Sequence, residues 1–189
     1  MVAEQYQSYI FQRAHLNLQE SIKKTRRALW KSHYNVGVKA TNLGKFERAR
    51  TEFLTALSIL PEDPATHAGL GLAYLQLDST EAGINSYLKT IELDSTDANA
   101  HLNVAIGYLN SGHEQKAIVH LLQAHKLIPK NLTVLKQLAM AQNQIGDKEG
   151  ATQSAEKALA VDPDNLDILN MAAQIFLGIG EFNKSIHLL

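Results

Sequence analysis

The chain has no cysteine, only four prolines and one tryptophan, and aromatic residues make up 6% of it. Without thiols there can be no disulfide framework and no thiolate metal site. The first thirty residues hold no apolar run of the roughly 7–15 residues that a signal peptide needs, and no stretch is long and apolar enough to span a membrane. A cytoplasmic location is therefore expected; a trimmed periplasmic protein would read the same way. No segment alternates with period two, so no strands are expected. A phosphate-cradling G-x-x-x-x-G-K loop, a G-x-S-x-G elbow and a paired-carboxylate signature are all missing. The expectation is a protein with no catalytic residue, no cofactor and no metal.

What the chain does have is a period. Gly44, Gly112, Gly146 and Gly180 lie on one 34-residue lattice whose single break is Asp78. A ruler starting at Trp30 divides the chain into units 30–63, 64–97, 98–131, 132–165 and a shortened 166–189. The eighth position reads Gly37, Gly71, Ala105, Ala139, Ala173, and the twentieth Ala49, Gly83, Ala117, Ala151, Ser185. Small residues at both columns let two helices approach closely. Pro61, Pro129 and Pro163 share the thirty-second position. Each unit reads as two helices, the first ended, except at Asp78, by a glycine able to turn left-handed and the second, except at Ser95, by a proline. Asp97, Asn131 and Asn165 stand where N-caps of the following helices belong. A fixed period of this length means one supersecondary unit, stacked so that each copy buries its apolar face on the next.

These columns resemble the tetratricopeptide repeat family. Gly37, Ala49, Phe53, Ala56 and Pro61 carry the likeness in the first unit, and Gly71, Tyr74, Gly83 and Tyr87 in the second. Ala105, Gly112, Ala117, Ala124 and Pro129 carry it in the third, and Ala139, Gly146, Ala151, Ala158 and Pro163 in the fourth. Two departures stand out. The family's usual Trp at the fourth position is replaced by His33, His67, His101, Leu135 and Leu169, and a bulky residue is replaced by Ala155. The resemblance implies an all-α, right-handed solenoid of helical hairpins, here with an extra N-terminal helix over 1–29. It also implies a protein-binding scaffold, not an enzyme, or else the targeting arm of a longer enzyme such as a glycosyl- or sulfotransferase.

In that family the first helix of each unit lines the concave face. The carried-over groove is Tyr34, Asn35, Val38 and Asn42; then Leu72, Leu75 and Gln76, with Ala68; then Asn99, Leu102, Asn103, Ile106, Leu109 and Asn110. It continues through Lys136, Gln137, Met140 and Asn143, with Gln144 and Asn170. Amides can pair with a peptide backbone, and Leu, Ile and Met can take up apolar side chains. An apolar or amphipathic protein segment is the expected partner. A clamp for a terminal carboxylate would need Lys, Asn and Arg where Tyr34, Val38, Gly69, Asn99 and Asn103 stand. That function is disfavoured. His33, His67 and His101 repeat one unit apart, roughly 10 Å by helix-packing distances, whereas ligands to one ion lie within about 2.1 Å of it. They read as packing residues.

Residues 1–50 hold ten Lys and Arg against three Asp and Glu, and residues 51–189 eight against sixteen, so a basic end opposes an acidic remainder. Over 4–29 helical spacing puts Phe11, His15, Leu18, Ile22 and Leu29 on one stripe, away from most of a basic cluster at Lys23, Lys24, Arg26, Arg27 and Lys31. This helix is expected either to cap the stack or to associate with a second copy, as are Phe182, Ile186 and Leu189 at the other end. Neither nucleic acid nor membrane is expected as a partner, because the chain as a whole is not basic and the basic cluster carries few aromatics.

Overall fold

A computed structural model describes residues 2–186, with side chains described from residue 5 to residue 185. Among the described residues there is no strand. The helices are α1 (Val2–Asn42), α2 (Phe46–Ile59), α3 (Pro64–Gln76), α4 (Thr80–Leu93), α5 (Ala98–Asn110), α6 (Glu114–Leu127), α7 (Leu132–Gln144), α8 (Lys148–Val161), α9 (Leu166–Ile179) and α10 (Phe182–Ile186). They pack in sequence order as hairpins, α1 with α2 and α3 with α4 through to α9 with α10, and each hairpin leans on the next. The result is an all-α stack of helical hairpins.

The turns inside the hairpins explain the lattice. Gly44, Gly112, Gly146 and Gly180 all have positive φ, between 68° and 90°. In each turn the following amide reaches back five residues: His113 N donates to the Tyr108 carbonyl at 2.9 Å and Glu181 N to Phe176 at 2.8 Å. This closes the helix end by satisfying a carbonyl that has no partner within the helix. Asp78 takes the same conformation, φ 56°, and Ser79 N makes the same bond to Tyr74 at 2.9 Å. The break in the glycine pattern is chemical, not geometric. Between hairpins, Asp63, Asp97, Asn131 and Asn165 accept from the amide three residues on, at 2.8 to 3.2 Å. The helices before Pro61, Pro129 and Pro163 end two residues short of them, as the steric restriction on the residue before proline requires.

Packing follows size complementarity between columns. A Cβ added to Gly37 would lie 2.7 Å from the Phe53 ring, and one added to Gly69 would lie 2.6 Å from it. Phe53 is thus clamped between the first helices of two successive units. In the fourth unit the equivalent of Phe53 is Ala155, and the equivalent of Gly69 in the next is Met171; both are buried in one cluster with Phe176. A large residue against a small one has been exchanged for the reverse, which resolves the departure at Ala155.

The N-terminal helix is continuous with the first repeat helix. α1 runs without interruption through the change of packing near Trp30: residues 5–29 are exposed, whereas Gly37 and Ala40 are buried. It does not fold back as a cap. Gly and Pro are absent from 2–36, so nothing in the backbone favours a reversal there.

Candidate binding surface

Five first helices, namely the second half of α1 with α3, α5, α7 and α9, carry the positions expected to form a groove. Most of their amides reach the surface. Asn35, Asn42, Gln76, Asn99, Asn110, Asn143, Gln144 and Asn170 are exposed, and Asn103 and Gln137 half-buried. Gln144 is held by the protein, donating to Glu114 at 2.7 Å. The other nine make no side-chain hydrogen bond to a described residue, so their donors and acceptors stay available.

The apolar centre is divided. Leu72 (36% exposed) and Met140 (47%) stand free. Tyr34, Val38, Leu75, Leu102 and Leu109 are half-buried and pack into the clusters between helices. Tyr34 stacks on Trp30, with ring centroids 5.3 Å apart, and tilts against Phe53. The indole N–H of Trp30 donates to Thr66 Oγ1 at 3.0 Å, tying the first unit to the second. Ala68 likewise packs against the cluster of Ile84, Tyr87, Ala100 and Val104, and Ile106 is half-buried. These residues shape the face while serving the stack.

The face deepens between α7 and α9 into a cleft of about 510 Å³. Met140, Met171 and Ile175 give it apolar walls, and Asn143, Gln144, Asn170 and Gln174 give it amides. Lys136 Nζ lies 3.5 Å from Asp167 Oδ2 across it. Lys136, Met140, Asn143, Gln144 and Asn170 are brought together here as the sequence pattern suggests. Asp167, Met171 and Gln174 were missed, although they hold the second, sixth and ninth positions of the last unit and the same column rule reaches them. Ile175 falls outside that rule and had no signal in the sequence.

A second cleft, about 600 Å³, opens where α1 overshoots the end of α2. Ile22, Trp30 and Leu60 line it beside Lys23, Arg26 and Arg27, and Arg26 donates to the Ile59 carbonyl at 2.7 Å. The stripe residues Phe11, Leu18, Ile22 and Leu29 are exposed, Phe11 to 76%. Phe182 is exposed as well; Ile186 ends α10 with its side chain undescribed, and Leu189 lies outside the described residues. No group of three or more histidine, aspartate or glutamate side chains is placed to hold a metal ion among the described residues. No helix among them is long and apolar enough to cross a membrane.

The fourth-position histidines make hydrogen bonds within the stack. His33 Nδ1 lies 2.8 Å from Glu52 Oε2, His67 Nε2 lies 2.8 Å from the Pro61 carbonyl, and His101 Nδ1 faces His120 Nδ1 at 3.2 Å. His101 is buried, His33 and His67 half-buried.

Comparison with known proteins agrees with this geometry. The tetratricopeptide repeat family model matches residues 65–97 and 134–165. No curated protein sequence matches the chain significantly. Among solved structures, a MamA protein superposes with a TM-score of 0.79 at 21% identity, covering 85% of this chain and 87% of that one. Pseudomonas aeruginosa PilF gives 0.73 at 20% identity, over 87% and 75% of the two chains. YrrB, described as a TPR protein with an unusual peptide-binding site, gives 0.74 at 15% identity, over 82% and 80%. At such identities the likeness establishes the fold alone. The chain thus carries tetratricopeptide repeats: two units match the family model directly, and their neighbours continue the same period and the same turns.

Proposed function

We propose that this chain is a non-catalytic, cytoplasmic scaffold that holds a segment of another polypeptide along the first-helix face and so helps assemble a larger complex. The observation that carries the reading is the row of unengaged amides beside Leu72 and Met140, ending in the α7–α9 cleft. Amides can bond to an extended backbone, while thioether and aliphatic walls accept an apolar side chain. The segment it suits is apolar or amphipathic and carries few charges, because Lys136 is already opposed by Asp167.

Selection from a random peptide library tests this. Enriched peptides should carry an apolar anchor, and Leu72→Asp with Met140→Asp should abolish their binding while the helical circular-dichroism signal stays unchanged. Undiminished binding by the folded double variant rejects the reading.

A second reading concerns the exposed stripe of α1. An apolar helix face over residues 5–29, on a basic arm opposite an acidic remainder, suits a second copy of the chain, and high salt should weaken that pairing. Sedimentation of the wild type and of Phe11→Asp with Ile22→Asp decides it. A monomer at high concentration and low salt would remove the reading.

A further inference from the structure

The third unit departs from the others in where it places histidine. His120 occupies the column of Glu52, Ser86 and Ser154, and His125 the column of Leu57, Ile91 and Leu159. Both lie on α6, facing neighbours on different sides. His120 is half-buried, with its Nδ1 3.2 Å from Nδ1 of the buried His101 on α5 and its ring 5.9 Å from that of Tyr108. Two ring nitrogens at this distance share a single proton: one imidazole donates and the other accepts. With both rings protonated, two N–H groups and two positive charges would point at each other in a half-buried site. His125 has a buried Nδ1 with no hydrogen-bond partner, and the charge acting on it is Lys157 of α8.

We infer that α6 is the acid-labile helix of the stack: at mildly acid pH, protons taken up at His120 and His125 loosen it from its neighbours and open the middle of the first-helix face.

Among the described residues no carboxylate is hydrogen-bonded to either imidazole. On α5 the groups near His120 are His101 and Tyr108; His113, just before α6, and Lys116 on it flank the Tyr108 ring, with Lys116 Nζ 5.4 Å from its centroid. Glu114 at the start of α6 is bonded to Gln144 of α7, and Lys136, also on α7, is opposed by Asp167. On α4, which packs against α5, Lys89 and Glu92 pair with each other, and Asp97 at the α5 cap acts on Tyr87. Burial first, and then His101, holds the His120 imidazole below its ordinary value of 6.5; burial and then Lys157 do the same for His125. The unfolded chain therefore takes up these protons at higher pH than the folded one. Stability is whole above 6.5 and is lost as the pH falls through that value toward the lowered folded ones. Asp94, whose carboxylate the Thr96 hydroxyl and amide hold below its ordinary 3.8, titrates outside this window.

Because α5 carries Asn99, Leu102, Asn103, Ile106, Leu109 and Asn110, loosening α6 disturbs the centre of that face. The inference does not depend on a ligand being bound there.

Amide hydrogen exchange on the ligand-free chain, corrected for intrinsic rates and compared between about pH 7.5 and about pH 5.5, reads the opening of each hairpin. Each histidine adds at most about tenfold in opening per pH unit. The expected result is a rise of tenfold or more confined to α5 and α6, with α2 to α4 flat. His120→Ser with His125→Leu uses residues that the same columns already hold elsewhere, and it should abolish the rise. His101→Leu, matching Leu135 and Leu169, is the independent variant; removing the opposing imidazole should lessen it. A uniform rise along the stack, or an undiminished one in either folded variant, overturns the inference. Because the experiment contains no peptide, its failure leaves the binding proposal standing, and failure of the peptide selection leaves this inference standing.

Discussion

The first and third hairpins bring the same two positions together and fill them with opposite chemistry. In the first, His33 meets Glu52 at 2.8 Å; in the third, His101 meets His120 at 3.2 Å. The 34-residue register decides which side chains touch, and the chemistry at each meeting point is then free to vary without disturbing the stack. Core sizes differ in the same way. The first unit sets Gly37 against Phe53, and the third sets Ala105 near Leu121. A repeat array fixes contacts by geometry and lets each unit tune its own response.

The largest expected effect is on that core pair. Phe53→Ala should cost about 3–5 kcal/mol, measured by urea unfolding, because the ring is fully buried and clamped by two glycines. Converting the first unit toward the third is the sharper test. Gly37→Ala should cost about 1–3 kcal/mol by overpacking against Phe53. Combined with Phe53→Leu it should cost less than the two single losses added, since the smaller side chain relieves the clash. Strict additivity would mean that the two positions do not compete for the same space.

The histidine comparison breaks in either direction. Glu52→His should give the first hairpin an acid sensitivity like that of the third, losing about 1 kcal/mol at pH 6 relative to pH 8. His120→Glu should lessen that loss in the third by placing a carboxylate opposite His101, leaving only the part carried by His125. Stability curves over that range check both. The smallest effect is at the turns. Gly112 has φ 70° and nothing within 4 Å of an added Cβ, so Gly112→Ala should cost about 1 kcal/mol from conformation alone. Asp78→Gly, at the one non-glycine turn, should gain up to about 1 kcal/mol in thermal unfolding.

The period made most of the fold legible, because five turns, four inter-hairpin caps and the small-residue columns all recur in step. What it could not show are quantities that depend on distance between units. The exchange of Phe53 and Gly69 for Ala155 and Met171 couples columns that belong to different repeats, so within one repeat Ala155 looks like a defect. The first-helix face was legible at its edge and less so at its centre. Its amides point outward by helix phase, but whether Leu75 or Leu102 is free or packed depends on how closely the next hairpin approaches. The α7–α9 cleft, with Asp167, Met171, Gln174 and Ile175, is a property of two facing helices. His101 reads correctly as a packing residue, while its partner His120, nineteen positions on, becomes visible only once the hairpin is closed.

Met140 on α7 and Leu122 on α6 are each 47% exposed, but they lie on a first and a second helix respectively. Affinity of one library-selected peptide for Met140→Asp and for Leu122→Asp therefore compares the two faces at equal exposure. Met140→Asp should lose at least tenfold in affinity, about 1.4 kcal/mol, and Leu122→Asp nothing; equal losses, or loss at Leu122 alone, would rule out binding on the first-helix face.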